Sequence, residues 1–203
     1  MRVSEIFLSL QGEGRMQGRP TTFVRLTGCN LRCVWCDTKY AQEGGDEMAE
    51  EEILSEVEEL GCHHLCITGG EPLVQGKTLL PLLTKLSTAG YSIEIETNGT
   101  FDFRAFQPYA SICMDMKCPS SGEESNASLL PYLHDVDSVK FVIADEKDFR
   151  YAEKIIISAP FLKCEIFISP VEGSDYAAIA DLLVEAMLPA RFQLQVHKIV
   201  GVK

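Results

Sequence analysis

The chain of 203 residues carries 18 Lys and Arg against 30 Asp and Glu, a formal charge of −12, with 46% hydrophobic and 24% charged residues. This is the length of one domain and the balance of an ordinary globular chain, expected here as a single domain over residues 1–203. Its acidic excess repels phosphate backbones and anionic lipid, which argues against nucleic-acid and membrane partners.

Residues 1–10 interleave Arg2, Ser4 and Glu5 with apolar side chains, unlike the apolar core of a signal peptide. No stretch approaches the ~18 consecutive apolar residues of a membrane span. The expected location is therefore the reducing cytoplasm, where eight cysteines suit metal binding better than a disulfide framework. The first short, β-branched apolar run is 22–26, a strand. A helical stripe of Met48, Ile53, Leu54, Val57 and Leu60 follows, with acidic residues on its solvated side. Further strands are expected at 65–68, 92–96, 112–116, 139–143, 165–168 and 192–196. Leu79, Leu80, Leu82, Leu83 and Leu86 make a second helical stripe, ended by Gly90. Two more helices are expected over 145–157 and 174–187, whereas 99–109, with three Phe and a Pro, leaves room only for a turn or a short helix. Strands alternating with helices imply parallel pairing through helical crossovers. The fold class is α/β: an incomplete (β/α) barrel or an open, mostly parallel sheet.

Unusual residues gather just after these strands: Gly28-Cys29, then Gly69-Gly70-Glu71-Pro72, Thr97-Asn98-Gly99, Lys117-Cys118-Pro119 and Ser169-Pro170. Parallel sheets build sites at the carboxyl ends of their strands, so one mouth collects them all. Cys29, Cys33 and Cys36 form C-x3-C-x2-C in one loop. Three thiolates are one short of the usual four for an iron–sulfur cube and would leave one iron open to a small molecule. From spacing alone two other readings stay open. One is structural zinc, completed by His63, His64, His134, His197 or a distant Cys. The other is three buried, unliganded thiols. Cys62, Cys66, Cys113, Cys118 and Cys164 have no metal spacing and read as packing.

The run Cys29-Asn30-Leu31-Arg32-Cys33-Val34-Trp35-Cys36, followed by Gly69-Gly70-Glu71-Pro72, resembles the radical S-adenosylmethionine superfamily. A narrower set extends the match: Phe7-Leu8-Ser9-Leu10-Gln11-Gly12-Glu13-Gly14, Phe23–Leu31, Cys36-Asp37-Thr38, Glu96-Thr97-Asn98-Gly99 and Gln195-Val196-His197-Lys198. Together these are similar to the 7-carboxy-7-deazaguanine synthase family, over nearly the whole chain.

That resemblance implies a homodimeric, abridged barrel with a 4Fe-4S cluster on Cys29, Cys33 and Cys36, S-adenosylmethionine on the open iron, and Mg2+ touching Thr38. It implies 6-carboxy-5,6,7,8-tetrahydropterin as substrate and a reducing partner such as flavodoxin or ferredoxin. The cofactor radical would be the catalytic group. Substrate contacts would fall to Leu10, Gln11, Gly12, Glu13, Arg25, Thr68 and His197. S-adenosylmethionine would meet Trp35, Gly70, Glu71, Glu96, Asp115, Met116 and Lys117. Residue chemistry agrees for Arg25, whose planar fork matches a carboxylate, although an ion pair with one of the many acids would explain it equally. His197 fits either a pterin contact or a satisfied core histidine. Two features depart from the family: Asp115-Met116-Lys117 replaces a Ser-Pro-Lys segment, and Gly201-Val202-Lys203 extends past the position where a terminal carboxylate can assist. Rival readings are a small radical activase of a partner protein and a non-enzymatic zinc or iron–sulfur module.

Overall fold

The computed structural model describes residues 1–203. The strands are β1 (Arg2–Leu10), β2 (Pro20–Leu26), β3 (Asp46–Glu47), β4 (His64–Gly69), β5 (Ser92–Thr97), β6 (Ser111–Met116), β7 (Ser138–Ile143), β8 (Glu165–Pro170) and β9 (Arg191–Phe192). They form one sheet in the order β3-β1-β2-β4-β5-β6-β7-β8-β9. From β2 through β9 all pairings are parallel, while β1 runs antiparallel to both β2 and β3. The sheet does not close into a barrel.

Crossovers are α1 (Glu50–Leu60), α2 (Gly76–Thr88), α3 (Glu146–Ser158) and α4 (Tyr176–Ala186), with a final short α5 (Val196–Val200). As the apolar stripes require, Ile53 and Val57 of α1, four leucines of α2, Phe149 of α3 and Leu183 of α4 pack against the strands. The strand residues that meet them are every second one: Val24 and Leu26, Leu65 and Ile67, Ile93 and Ile95, Met114 and Met116, Phe141 and Ile143. A pleated strand sends alternate side chains to opposite faces, so the intervening residues line the other, concave face. Residues 101–110, between β5 and β6, form turns that bury Phe103 and Phe106.

Two expectations need correction. Residues 2–10, read only for a leader, are a nine-residue strand that pairs along β2 from Val3↔Leu26 to Leu10↔Pro20. The last strand, expected over 192–196, stops at Phe192. Gln193 is buried there, and its amide accepts from Gly14 N (2.8 Å) and donates to Gly14 O (2.9 Å). Val196 N then donates to Gly12 O at 3.1 Å. These bonds draw the chain off the sheet edge toward the β1–β2 loop. Side-chain and loop hydrogen bonds thus bridge the gap that a barrel would close with a strand ladder. No helix is long and apolar enough to cross a membrane.

Candidate active site

The concave face and the loops at the strand ends enclose a cavity of about 330 Å³. Its wall includes Cys29, Cys33, Cys36 and Thr38 on one side, and Leu10, Gln11, Gly12, Glu13, Arg25, Thr68 and His197 on another. Trp35, Gly70, Glu96, Asp115 and Lys117 complete it. Two expected site residues lie elsewhere. Met116 is fully buried in the helix-side core, because strand alternation points Asp115 and Met116 to opposite faces. Glu71 is fully buried outside the wall and ties two loops together. Its carboxylate accepts from Asn98 N (2.6 Å), Thr97 Oγ1 (2.9 Å) and Leu73 N (3.0 Å). Burial outweighs these donors and pushes its pKa up to about 7.

The glycines of this loop are explained by backbone packing. A Cβ on Gly70 would sit 2.4 Å from Gly28 O, and one on Gly69, with φ of 150°, 2.1 Å from Leu26 O. The end of β4 therefore lies directly on the end of β2, beside Cys29. Gly12 is constrained in the same way by the ring of His197, whose Nδ1 would be 1.7 Å from a Cβ there. His197 faces the cavity and is no core histidine.

All eight cysteines are free thiols, and the three of the loop are half-buried. Leu31 N donates to Cys29 Sγ at 3.4 Å and Gln42 Nε2 to Cys36 Sγ at 3.7 Å. Only Cys66, Glu94 and Glu96 form a set whose ligating atoms all lie within 4.8 Å of one another. Cys29, Cys33 and Cys36 lie in one loop and line one cavity, and three thiols there fit the donor set of an iron–sulfur cluster with one iron left open. Cys66 itself stays protonated, since burial and the charges of Glu96 and Glu94 raise its pKa well above the usual thiol value. Cys113, Cys118 and Cys164 are also buried.

Arg25 Nε donates to Glu5 Oε1 at 2.9 Å, so the ion pair of the alternative reading is present. Its two terminal nitrogens make no hydrogen bond with the protein, and they remain available beside the cavity. Tyr40 OH also donates to Glu5, at 2.8 Å, and Lys203 Nζ pairs with its second oxygen. Thr38 stands at the start of the 3-10 turn Lys39–Gln42, yet its hydroxyl makes no capping bond. The turn is closed instead by Thr38 O, which accepts from Ala41 N at 2.9 Å.

The floor is a buried charge network. Lys140 Nζ pairs with Glu13 and, at 3.0 Å, with Asp115 Oδ1, while Lys117 Nζ reaches Asp115 Oδ2 at 3.0 Å. Burial pushes the Asp115 carboxyl up, but Lys117 and Lys140 carry it below its usual value. Gln11 Nε2 lies 3.2 Å from an oxygen of both Glu94 and Glu96, and Thr68 Oγ1 donates to Glu96 at 2.8 Å. Burial, then the Glu96 charge, push Glu94 up to about 8, so it holds a proton at neutral pH. Sequence reasoning missed Glu5, Glu94 and Lys140. Lys140 left a signal: it is the one charge in the strand Ser138–Ile143.

Residues 23–114 match the Radical SAM superfamily. The chain is 51% identical over 201 residues to a 7-carboxy-7-deazaguanine synthase from Methanospirillum hungatei, covering 99% of this chain and 86% of that one. It is 39% identical over 204 residues to one from Thermoplasma acidophilum, covering 98% and 97%. Among solved structures it resembles QueE from Escherichia coli, with a TM-score of 0.79, 25% identity, and 97% and 94% of the two chains covered.

Proposed function

The chain belongs to the 7-carboxy-7-deazaguanine synthase family of radical S-adenosylmethionine enzymes, and from that premise we propose how its cavity works. It is a lyase that uses a 4Fe-4S cluster and S-adenosylmethionine to convert 6-carboxy-5,6,7,8-tetrahydropterin to 7-carboxy-7-deazaguanine with loss of ammonia. The observation that carries the assignment of residues is that one cavity is lined by the three thiols of a single loop, by Trp35 and by Arg25.

Cys29, Cys33 and Cys36 hold the cluster. The cluster and S-adenosylmethionine, when bound there, would supply the radical chemistry that abstracts hydrogen from the pterin. Trp35, Gly70, Glu96, Asp115 and Lys117 surround S-adenosylmethionine. Glu71 acts from behind by bracing the Gly69-Gly70 loop against Asn98. Arg25 presents its two terminal nitrogens to the pterin carboxylate, its Nε end anchored on Glu5. Gln11, Gly12, Glu13, Thr68 and His197 hold the ring, with Leu10 along its edge. The stacked rings of Phe7 and Phe23, 5.0 Å apart, give the adjoining wall an apolar surface that excludes water. Thr38, on the cavity wall, would offer one oxygen to Mg2+, and a neutral hydroxyl would need further oxygen ligands to hold that ion.

The working form is a homodimer of one domain per chain, in the cytoplasm, reduced by a flavodoxin or ferredoxin. The test is anaerobic reconstitution followed by turnover with the carboxylated pterin. The expected result is 7-carboxy-7-deazaguanine with no net consumption of S-adenosylmethionine. An intact cluster that cleaves S-adenosylmethionine without forming the deazapurine overturns the assignment and favours an activase.

A further inference from the structure

Trp35 is the chain's sole tryptophan, and its indole is held from two directions. Its Nε1–H donates to Ser120 Oγ at 3.1 Å, and Lys117 Nζ lies 5.4 Å from the ring centroid. Ser120 Oγ donates in turn to Asp148 Oδ2, while Ser120 N donates to Asp148 Oδ1 at 2.8 Å. Asp148 is fully buried in the first turn of α3, and no Lys or Arg pairs with it. Its carboxylate is satisfied by hydrogen bonds alone, the third coming from Ala144 N at 2.9 Å. The adjoining residues bind the cluster loop as well: Val34 N donates to Ser121 O at 2.9 Å and Arg32 N to Glu123 Oε1 at 2.6 Å.

Asp145 caps α3 by accepting from Asp148 N at 2.9 Å, so the Asp148 carboxylate is not needed for that cap. The Ser120 hydroxyl spans from this buried carboxylate to a half-buried indole in the cavity wall, so the chain Asp148–Ser120–Trp35 orients the indole relative to α3. An unanchored Trp side chain has two free torsions and would lose rotamer freedom only when a ligand arrived. We infer that Ser120 and Asp148 are positioning residues that pre-set Trp35 as the face on which the adenine of S-adenosylmethionine packs. The inference rests on the proposed function, because it needs S-adenosylmethionine to be the ligand on that side.

Ser120→Ala removes the acceptor for the indole and leaves the bonds of Ser120 N and Ala144 N to Asp148, while the α3 cap on Asp145 is untouched. Two readouts separate positioning from folding. Time-resolved anisotropy of the full chain reports Trp35 alone, and equilibrium dialysis against the cluster-loaded protein gives the Kd for S-adenosylmethionine. In Ser120→Ala the indole should gain fast motion and Kd should rise about three- to tenfold, the worth of one neutral hydrogen bond. The KM for the pterin should stay put, the thermal midpoint should fall modestly through the lost bond to Asp148 without loss of the folded state, and Ser120→Thr should restore both readouts. Wild-type anisotropy or wild-type Kd in Ser120→Ala, with wild-type protein binding S-adenosylmethionine normally, overturns this inference alone. Failure of the wild-type loaded protein to bind S-adenosylmethionine overturns the functional reading and this inference with it.

Discussion

The two faces of one sheet hold opposite kinds of residue, although they are built from the same strands. On β5, Ile93 and Ile95 enter the helix-covered core while Glu94 and Glu96 enter the concave side. On β6 and β7, Met114, Met116, Phe141 and Ile143 face the helices, whereas Asp115 and Lys140 meet on the other side. Apolar burial against α1 to α4 supplies the folding free energy. That surplus allows the concave face to retain buried carboxyl groups such as Glu94 and a buried lysine, Lys140, which cost free energy to bury. Stability and chemistry are therefore separable by side-chain parity along a strand.

The largest stability effect should come from the helix side. Phe141→Ala, at a fully buried ring, should cost about 3–5 kcal/mol. Denaturant titration should show the midpoint falling at constant m-value, while protein kept folded at low temperature still loads its cluster. A loss below about 1 kcal/mol would mean that this face is not the core. A smaller effect, on catalysis alone, is expected at Arg25. Arg25→Lys should lower kcat/KM for the carboxylated pterin by about 1.5–3 kcal/mol, the worth of a hydrogen bond to a charged group. S-adenosylmethionine binding should be unchanged. Equal weakening of both ligands would show that Arg25 serves Glu5 and the fold.

Glu94 sharpens the comparison through pH. Its pKa is raised to about 8 from an ordinary value of 4.5, so the folded state keeps a proton that the unfolded chain has lost. Between these values its contribution to stability falls as pH rises, by about 1.4 kcal/mol per unit, and levels off above 8. Glu94→Gln abolishes that slope. Unfolding curves from pH 5 to 8 should therefore show the variant gaining on wild type as pH rises, and parallel curves would place the proton elsewhere. The smallest effect belongs to Thr38. Thr38→Ala should leave the cluster and S-adenosylmethionine cleavage intact but reduce stimulation of product formation by magnesium, with Thr38→Ser retaining most of it. A wild-type magnesium response in Thr38→Ala would return Thr38 to the turn.

The helix side was the legible one. Runs such as 139–143 and the leucines of α2 carry their periodicity in residue type, and six of the seven expected strands form. Residues 192–196 mislead because, after Gln193 N bonds to Ile168 O, the Gln193 amide and Val196 N turn to Gly14 and Gly12 of the β1–β2 loop. The strand Arg2–Leu10 alternates less cleanly, since both of its faces are only half-buried over most of its length. On the concave side, Cys29, Cys33 and Cys36 announce themselves by spacing in a single loop. Glu94 does not, because its role depends on Gln11 and Glu96, which reach it only through the fold. Met116 and Glu71 were drawn toward the cavity by their neighbours in sequence, and strand parity and a loop brace place them outside it.

The central claim, that the concave face carries the chemistry through one cysteine loop and the helix face carries the stability, is tested most directly by iron content. Chain with Cys29, Cys33 and Cys36 all replaced by Ala would be reconstituted anaerobically beside wild type, and iron per chain measured along with the thermal midpoint before reconstitution. The account predicts about four irons in wild type and none in the variant, with the two midpoints equal. Iron retained by the variant would contradict it.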